Sequence, residues 1–224
     1  MIKTIFFDID NTLYSYTQAH AAAFPVVCDY AREQLGLKDF AADWAAHIKS
    51  HAAEIGPQSA IHSRLIRCLR ILEQHNKPLE YAQVLDRLYW ETLIQAAVPE
   101  PGVPECLRTL RQRGYVLGIA TNMTLDWQLS KLKRLAILDN FRYIISSEEA
   151  GAEKPDPRFF QTCLRYAHCQ PDECLMVGDS LSGDVLGAEA IGMKALWYAP
   201  EDQLSKHPGF HHFSQLEALI EQCD

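Results

Sequence analysis

The sequence predicts an α/β protein in which an all-helical domain interrupts a parallel-sheet core. Two observations carry this prediction. Short apolar segments rich in Val, Ile and aromatic residues alternate with helical patterns after residue 100, which is typical of a parallel sheet covered by helices. Residues 15–98, in contrast, contain helical patterns only. We therefore expect an α/β core at residues 1–14 and 99–224, and a helical domain at 15–98 inserted after the first strand.

Five segments have the composition of buried strands. The first lies in the stretch IFFDIDNTLY at residues 5–14, where apolar residues surround two acids. The other four are rich in β-branched and aromatic residues, which strands favour: YVLGIAT (115–121), YIISS (143–147), CLMVGD (174–179) and KALWY (194–198).

Helical signals lie between these strands. The stretch TLDWQLSKLKRLAI carries leucines at helical spacing, at positions Leu125, Leu129, Leu132 and Leu135. The stretch KPDPRFFQTCLRYA offers Asp156 as the N-cap residue of a helix and Pro157 as its first residue. Strand and helix therefore alternate through this part of the chain.

Polar residues stand where the predicted strands end. In open α/β sheets ligands bind at the carboxyl ends of the strands, so these residues converge on one edge. Strand alternation also points Asp8 and Asp10 to the same face, where two like charges require a cation, a shared proton or open solvent. The residues at this edge are Asp8, Asp10, Thr121, Asn122, Ser146, Ser147 and Asp179, with Lys154 just beyond the third strand.

The residue types at this edge favour phosphate chemistry. Carboxylates are hard oxygen ligands of the kind that a small divalent cation such as Mg²⁺ takes together with phosphate and water. A lysine and a hydroxyl can hold phosphoryl oxygens where charge accumulates in the transition state. An aspartate can attack phosphorus and form an aspartyl-phosphate.

Four motifs in this order resemble those of the haloacid dehalogenase (HAD) superfamily: DIDNT, ATN, EKPDP and VGDSLSGDV. The resemblance extends over essentially the whole chain, and it implies a Rossmann-like, HAD-like core. It also implies that residues 15–98 form a helical cap domain of the first cap class.

The resemblance assigns roles to four acids. Asp8 corresponds to the nucleophile, which also binds metal through its carboxylate. Asp10 corresponds to the general acid/base, whose backbone carbonyl binds metal in the family. Asp179 corresponds to a direct metal ligand, and Asp184 to a second-shell acid linked to the metal through water.

Three further residues are assigned to the phosphoryl group in the same way. Thr121 corresponds to the phosphate-binding hydroxyl of the second motif, and Asn122 stands beside it. Lys154 corresponds to the lysine of the third motif, which neutralises charge on the nucleophile and on the phosphate. The expected enzyme is a Mg²⁺-dependent HAD-like phosphatase, a phosphoric monoester hydrolase.

The acid at position 10 separates branches of the superfamily. Dehalogenases lack it, because a halide leaving group needs no proton, so Asp10 disfavours that activity. Phosphomutases usually have Gly after the second Asp, where this chain has Asn11, and this favours hydrolysis. The stretches FFDIDNTLY and ISSEEAGAEKPDP resemble nucleotidases, so a nucleoside 5′-monophosphate is the first expected substrate and a sugar phosphate or phosphoglycolate-type ester the alternative.

Composition excludes several other classes. The formal net charge of −8 argues against nucleic-acid polymers and anionic membranes as partners, and the sequence has no apolar stretch of membrane-spanning length. Seven cysteines with no C-x-x-C pair indicate reduced thiols and a cytoplasmic location. The expected partner is a small phosphorylated metabolite, and the sequence predicts no oligomeric state.

The helical domain offers one ambiguous pattern. Breaks are predicted at Gly56-Pro57 and Lys77-Pro78. Between them Arg64, Arg67 and Arg70 recur at three-residue spacing, opposite a predicted packed side of Ile61, Leu65, Leu69 and Leu72. The arginines either form a solvated face, or Arg64 contacts the non-phosphate part of the substrate.

Overall fold

The computed structural model describes residues 1–56 and 59–223. The chain divides into two compact units, and each is described by itself. An α/β unit comprises Met1–Ser15 and Val98–Asp224, and a helical unit comprises Tyr16–Ala97. Pro57, which belongs to one predicted break, lies outside the described residues.

The α/β unit is built on a six-stranded sheet in which every pair of neighbouring strands is parallel. The strand order is β3-β2-β1-β4-β5-β6. The predicted α/β class with a parallel sheet is therefore confirmed. The two residues of β6 were not predicted, because so short a strand leaves no periodic signal. The strands are β1 (Thr4–Phe7), β2 (Val116–Thr121), β3 (Tyr143–Ser146), β4 (Cys174–Gly178), β5 (Lys194–Tyr198) and β6 (Gly209–Phe210).

The strand register aligns the polar ends that the sequence predicted. Phe7 at the end of β1 pairs with Ile119 of β2 and with Val177 of β4. Thr121 at the end of β2 pairs with Ser146 at the end of β3. The residues that follow these pairs therefore emerge at one edge of the sheet.

Within its described residues, the helical unit contains four α-helices and a short 3₁₀ helix at Ser59–His62; the α-helices are α1 (Tyr16–Leu35), α2 (Phe40–Ile55), α3 (Arg64–Gln74) and α4 (Tyr81–Ala96). Small residues at four-residue spacing line the buried side of α1, which lets α4 approach closely: Ala19, Ala23, Val27 and Ala31. Helix α4 buries larger residues in return, Leu85, Tyr89 and Leu93 among them.

Helix α3 buries part of the side that the sequence predicted, since Leu72 is fully buried, but it also turns an arginine inward. Arg67 is buried and stacks over the Trp44 ring at 4.6 Å, whereas Leu65 is exposed. The expectation of a solvated arginine face is therefore wrong for Arg67. Arg70 is exposed and forms an ion pair with Glu73.

Arg64 contacts other residues of the helical unit. Its guanidinium donates to the Tyr16 hydroxyl at 2.8 Å and lies 4.7 Å from the centre of the Trp90 ring. Stacking on an indole suits a guanidinium, which is weakly hydrated. The substrate contact considered for Arg64 stays a prediction.

Six helices surround the sheet: α5 (Val103–Gln112), α6 (Leu125–Arg134), α7 (Ser147–Ala150), α8 (Pro157–Ala167), α9 (Leu186–Glu189) and α10 (Leu216–Cys223). Helix α8 begins as predicted, with the Asp156 carboxylate accepting from the backbone of Arg158 and Pro157 as the first residue. On α6, Leu132 and Leu135 are buried, but Leu129 is exposed.

The sheet core is apolar apart from its site-bearing edge. Phe6, Met176 and the paired rings of Phe159 and Phe160 are fully buried in one cluster. Within the described residues, no helix is long and apolar enough to cross a membrane.

One pair of cysteines contradicts the prediction that the cysteines are reduced. Cys169 and Cys174 form a disulfide, so the expectation of reduced thiols is wrong for these two. Cys68, Cys106 and Cys163 are buried free thiols, and burial raises the pKa of each to about 12. The cytoplasmic location stays a prediction.

Candidate active site

Lys154 lies at the centre of the polar edge. Its ammonium group is 2.6 Å from Asp8 Oδ1 and 2.5 Å from Asp184 Oδ1, and it also donates to the Ala120 carbonyl at 2.8 Å. Burial lowers the pKa of Lys154, but the two carboxylates more than reverse this and hold the pKa above its ordinary value. Lys154 is therefore a fixed positive charge between two acids.

Asn122 holds the Lys154 segment in place. Its side-chain oxygen accepts from the Lys154 backbone N–H at 2.8 Å, and its side-chain nitrogen donates to the Lys154 carbonyl at 3.2 Å. The amide thus pairs with both backbone groups, as a neighbouring strand would. This contact links the end of β2 to Lys154, and a direct contact of Asn122 with phosphate stays a prediction.

Three acids meet beside Lys154. Asp8, Asp179 and Asp184 each offer one carboxylate oxygen within a group whose members all lie within 4.8 Å of one another. Burial raises the pKa of Asp8, which Lys154 opposes, and the charges of Asp184 and Asp179 raise it further. Burial and Asp184 raise the pKa of Asp179 to about 6. Such crowding is relieved when a cation binds among the oxygens.

A tight turn after β4 places Asp184 in this group. The Ser180 backbone N–H donates to Asp184 Oδ2 at 3.0 Å, and the Ser180 hydroxyl accepts from the Gly183 backbone at 3.0 Å. The carboxylate of Asp184 lies directly over Gly178, where a Cβ atom would collide with it. Glycine at position 178 is thus required by the close approach of the acid.

Asp10 is held by a separate set of donors. Lys131 Nζ lies 2.6 and 3.0 Å from its two carboxylate oxygens, the Tyr14 hydroxyl donates to Oδ1 at 2.5 Å, and Gln128 donates to Oδ2 at 3.2 Å. Burial raises the pKa of Asp10, but the charge of Lys131 and the hydrogen bonds from all three donors outweigh it and lower the pKa. The carboxylate is therefore stabilised in its ionised form.

Thr121 is joined to the same set. Gln128 Nε2 donates to the Thr121 hydroxyl oxygen at 2.6 Å. Because that oxygen accepts from the amide, the hydroxyl hydrogen is left to donate elsewhere. Thr121 is buried at the end of β2, so its one hydrogen can serve an anion at the sheet edge.

Asn11 follows Asp10 in the left-handed backbone region, with φ 60. Asparagine tolerates this conformation better than most residues, and glycine adopts it freely. Tyr14 is fully buried, and its hydroxyl donates to Asp10.

Sequence reasoning missed two residues of this site, Lys131 and Gln128. Both lie on α6 and both are fully buried. Their three-residue spacing on the first helix after Thr121 places both on one helix face, but nothing in the local sequence indicates that this face turns inward. Ser146, predicted at the same edge, instead caps α7 by accepting from the Glu149 backbone.

An open cavity of about 430 Å³ adjoins the acids within the α/β unit. Trp197 lines it and donates from Nε1 to the Asp179 carbonyl at 2.7 Å. Asn11, Tyr198 and His211 also line it. The cavity brings solvent to Asp179 and gives a small molecule access from this side.

The donor set fits a magnesium ion. Three carboxylates supply the hard oxygen atoms that Mg²⁺ requires. With Asp8, Asp10, Asp179 and Asp184 ionised, the charges of Lys131 and Lys154 leave two negative charges unbalanced. A divalent cation would neutralise them.

Comparison with known proteins agrees with this geometry. The family model described as haloacid dehalogenase-like hydrolase matches residues 2–192. The chain is 32% identical to a ribulose-1,5-bisphosphate 5-phosphatase of Halopiger xanaduensis, over 91% of this chain and 87% of that protein. It is 34% identical to a glyceraldehyde 3-phosphate phosphatase of Pyrococcus abyssi, over 88% of this chain and 82% of that protein.

A further relative is a pyrimidine 5′-nucleotidase of Streptococcus pneumoniae, 25% identical over 97% of this chain and 93% of that protein. Among solved structures, a HAD phosphatase from Thermococcus onnurineus superposes with a TM-score of 0.75 at 27% identity and covers 98% of both chains. A 2-haloacid dehalogenase from Pseudomonas syringae superposes with a TM-score of 0.77 at 26% identity over the whole of both chains.

The family model spans most of the chain, and the two relatives described at 32% and 34% identity are named phosphatases and are matched along most of their length. The chain therefore belongs to the haloacid dehalogenase-like hydrolase family, and within that family it is a phosphatase.

Proposed function

We propose that the protein is a Mg²⁺-dependent phosphomonoesterase that uses Asp8 as its nucleophile. The observation that carries this proposal is the single buried ammonium group of Lys154 between Asp8 and Asp184. The acid/base candidate Asp10 lies two residues along the chain from the nucleophile, and a separate set of hydrogen-bond donors holds it. The nucleophile and its charge stabiliser thus contact each other, and the proton carrier is held by a separate set of contacts.

In the first half of the proposed reaction, a carboxylate oxygen of Asp8 attacks phosphorus and the bond from phosphorus to the ester oxygen breaks. The products are an aspartyl-phosphate on Asp8 and an alcohol that takes its proton from Asp10. Lys154 and the Thr121 hydroxyl hold the non-bridging oxygens as charge shifts onto them.

In the second half, Asp10 removes a proton from water, and the hydroxide attacks phosphorus. The phosphorus–carboxylate bond breaks, which releases inorganic phosphate and restores Asp8. The lowered pKa of Asp10 keeps its carboxylate ionised, which is the form that accepts a proton in this half, but it also makes that carboxylate a weaker base. Protonating the alcohol requires the neutral form of Asp10, which the lowered pKa disfavours, so poor leaving groups depend most on how Asp10 is held.

Asp8 and Asp179 are the proposed direct ligands of Mg²⁺, with the Asp10 backbone carbonyl as a third and Asp184 beside them. When bound, the ion screens the charge of the carboxylates from the charge of the incoming phosphate. The protein's own side chains bind and orient the phosphate ester, and Asp10 exchanges the proton.

The relatives shape the proposed substrate class. The two relatives described above at more than 30% identity are named for a sugar bisphosphate and a triose phosphate, whereas the nucleotidase is more distant. We therefore place small sugar or triose phosphates first and nucleoside 5′-monophosphates second, which reverses the order expected from the sequence. We also propose, from the family resemblance, that the helical unit is the cap that selects the leaving group.

Dehalogenation is the competing activity, because one solved structure of similar fold is a 2-haloacid dehalogenase. Asp10 and its three donors favour phosphate ester hydrolysis, since a halide departs without a proton. A mutase is disfavoured because Asn11, and not glycine, follows Asp10.

Phosphate release from a panel of sugar phosphates, triose phosphates, nucleoside monophosphates and an aryl phosphate tests the proposal, with and without Mg²⁺. We expect turnover that requires Mg²⁺ and is highest on a sugar or triose phosphate. Chloride release from 2-chloropropionate serves as the dehalogenase control. Dehalogenation without phosphate release, or full phosphatase activity in metal-free buffer, would contradict the proposal.

A further inference from the structure

Helix α6 contributes a fully buried lysine to the site, although no motif of the family resemblance predicts one there. The Lys131 side chain has no exposed surface, and its ammonium group contacts both oxygens of Asp10. The Asp10 side chain keeps 25% of its surface exposed. The Asp10 carboxylate is therefore bound by Lys131 on its buried side and exposed to solvent on the other.

Stability alone gives little reason for this arrangement. Buried ion pairs are costly to desolvate, and an apolar residue of similar volume often serves the fold as well or better. Neighbouring Leu132 on the same helix shows that the core accepts apolar side chains there. The lysine is thus better explained by what it does to Asp10.

The contacts restrict Asp10 in several directions. Lys131 reaches both oxygens, Tyr14 reaches Oδ1, and Gln128 reaches Oδ2. A carboxylate bonded at both oxygens cannot rotate without breaking contacts. Gln128 also donates to Thr121, so the proposed proton carrier and the proposed phosphate-binding hydroxyl are linked through one side chain.

We propose that Lys131 is a positioning residue that orients the Asp10 carboxylate for proton transfer at the ester oxygen. This inference rests on the proposed function, because it gives Asp10 the acid/base role. Lys131 acts through Asp10 and, being fully buried, does not itself touch the reacting atoms. Replacing Lys131 should therefore slow only those steps in which Asp10 transfers a proton.

Leaving-group dependence separates positioning from a structural role. An alkyl phosphate needs a proton on its departing oxygen, whereas p-nitrophenyl phosphate departs with little help. Asp10 also serves the hydrolysis of the aspartyl-phosphate, which is the same step for every ester, so the readout is kcat/KM, which covers only the steps up to departure of the alcohol. We expect Lys131→Met to lower kcat/KM on an alkyl phosphate about 10- to 100-fold, since small misplacements of catalytic groups have effects of this size. On p-nitrophenyl phosphate we expect kcat/KM to fall less than about threefold.

A double-mutant cycle with Asp10→Asn provides the second readout. If Lys131 acts only through Asp10, adding Lys131→Met to Asp10→Asn should lower kcat/KM on the alkyl ester less than about twofold further. Lys133→Met is the matched control, because Lys133 is exposed on the same helix, and it should behave as wild type. Circular dichroism and thermal unfolding verify that each variant is folded.

Equal losses on both esters, or a full loss in the Asp10→Asn background, would overturn the inference and make Lys131 a structural residue. Wild-type kinetics for Lys131→Met would overturn it as well. Should that variant fail to fold, Lys131→Gln, which keeps a donor without the charge, is read by the same criteria. An Asp10→Asn variant without leaving-group dependence would overturn the acid/base role itself, and with it this inference, and so identifies failure of the proposed function.

Discussion

Two buried lysines contact different aspartates at the same edge of the sheet. Lys154, from the segment after α7, contacts Asp8 and Asp184 and keeps 3% of its side-chain surface exposed. Lys131, from within α6, contacts both oxygens of Asp10 and is fully buried. One ammonium group lies between two acids, and the other grips a single acid.

The difference indicates a division of tasks. A charge shared by Asp8 and Asp184 lies beside the proposed nucleophile, where negative charge moves during phosphoryl transfer. The Lys131 charge, which lies against Asp10, orients the proton carrier and does not act on phosphorus. Variants that damage one task and spare the other test whether the division is real.

The largest effect is expected for Asp8→Asn. An amide cannot attack phosphorus, so kcat should fall by about 10⁴-fold or more on every ester, while thermal unfolding shows an intact fold. Asp172→Asn, at an exposed acid, is the control and should be fully active. Near-wild-type phosphate release by folded Asp8→Asn would exclude Asp8 as the nucleophile.

The second-largest effect is expected for Lys154→Met. Loss of this charge should lower kcat about 10²- to 10³-fold, the effect typical of removing one transition-state donor. Because Lys154 does not act on the departing oxygen, alkyl and aryl phosphates should lose equally, in contrast to Lys131→Met. A loss confined to alkyl phosphates would show that the two lysines share one task.

Asp179→Ala should change the metal requirement more than the chemistry. Removing one of the three clustered carboxylates should raise the Mg²⁺ concentration for half-maximal activity at least about tenfold, since even outer-shell partners produce losses of that size. Mg²⁺ titrations of phosphate release measure it, with Asp202→Ala, at an exposed acid, as the control. An unchanged Mg²⁺ requirement would remove Asp179 from the proposed ligands.

Gln128→Leu should have the smallest effect. Leucine fills the same fully buried space but loses the hydrogen bonds to Thr121 and Asp10. Because Lys131 and Tyr14 still hold Asp10, the main loss is at Thr121, and KM should rise about 3- to 10-fold on all esters, which corresponds to one ordinary hydrogen bond. Gln161→Leu, at an exposed glutamine of the same unit, is the control. A KM unchanged on every ester would mean that Gln128 does not support Thr121.

The strand ends could be predicted because sequence and topology coincide there. A parallel sheet brings the carboxyl end of every strand to one edge, so Asp8, Thr121 and Asp179 are predictable neighbours once the strands are recognised. Asp156 could be predicted as a cap for a similar reason, since its signal lies within one turn of helix.

Lys131 could not be predicted in this way, because a lysine on an amphipathic helix normally faces water. Lys133 stands two residues away and does so, and nothing local distinguishes the two residues. The inward turn of Arg67 was missed for the same reason, since its partner, the Trp44 ring, comes from another helix. Burial of a charge depends on tertiary partners that helical periodicity does not describe.

The strand order also has a consequence for biosynthesis. Strand β1 is made before every other strand of the sheet, yet it lies between β2 and β4 at the centre. At ribosomal rates of about 5–20 residues per second, its apolar residues wait on the order of 10–30 s before Gly178 completes their second neighbour. Lys154 is made before that point, but Asp179 and Asp184 are made only after it. Phosphatase activity would thus report that synthesis has passed Asp184 and that the nascent protein has closed its sheet.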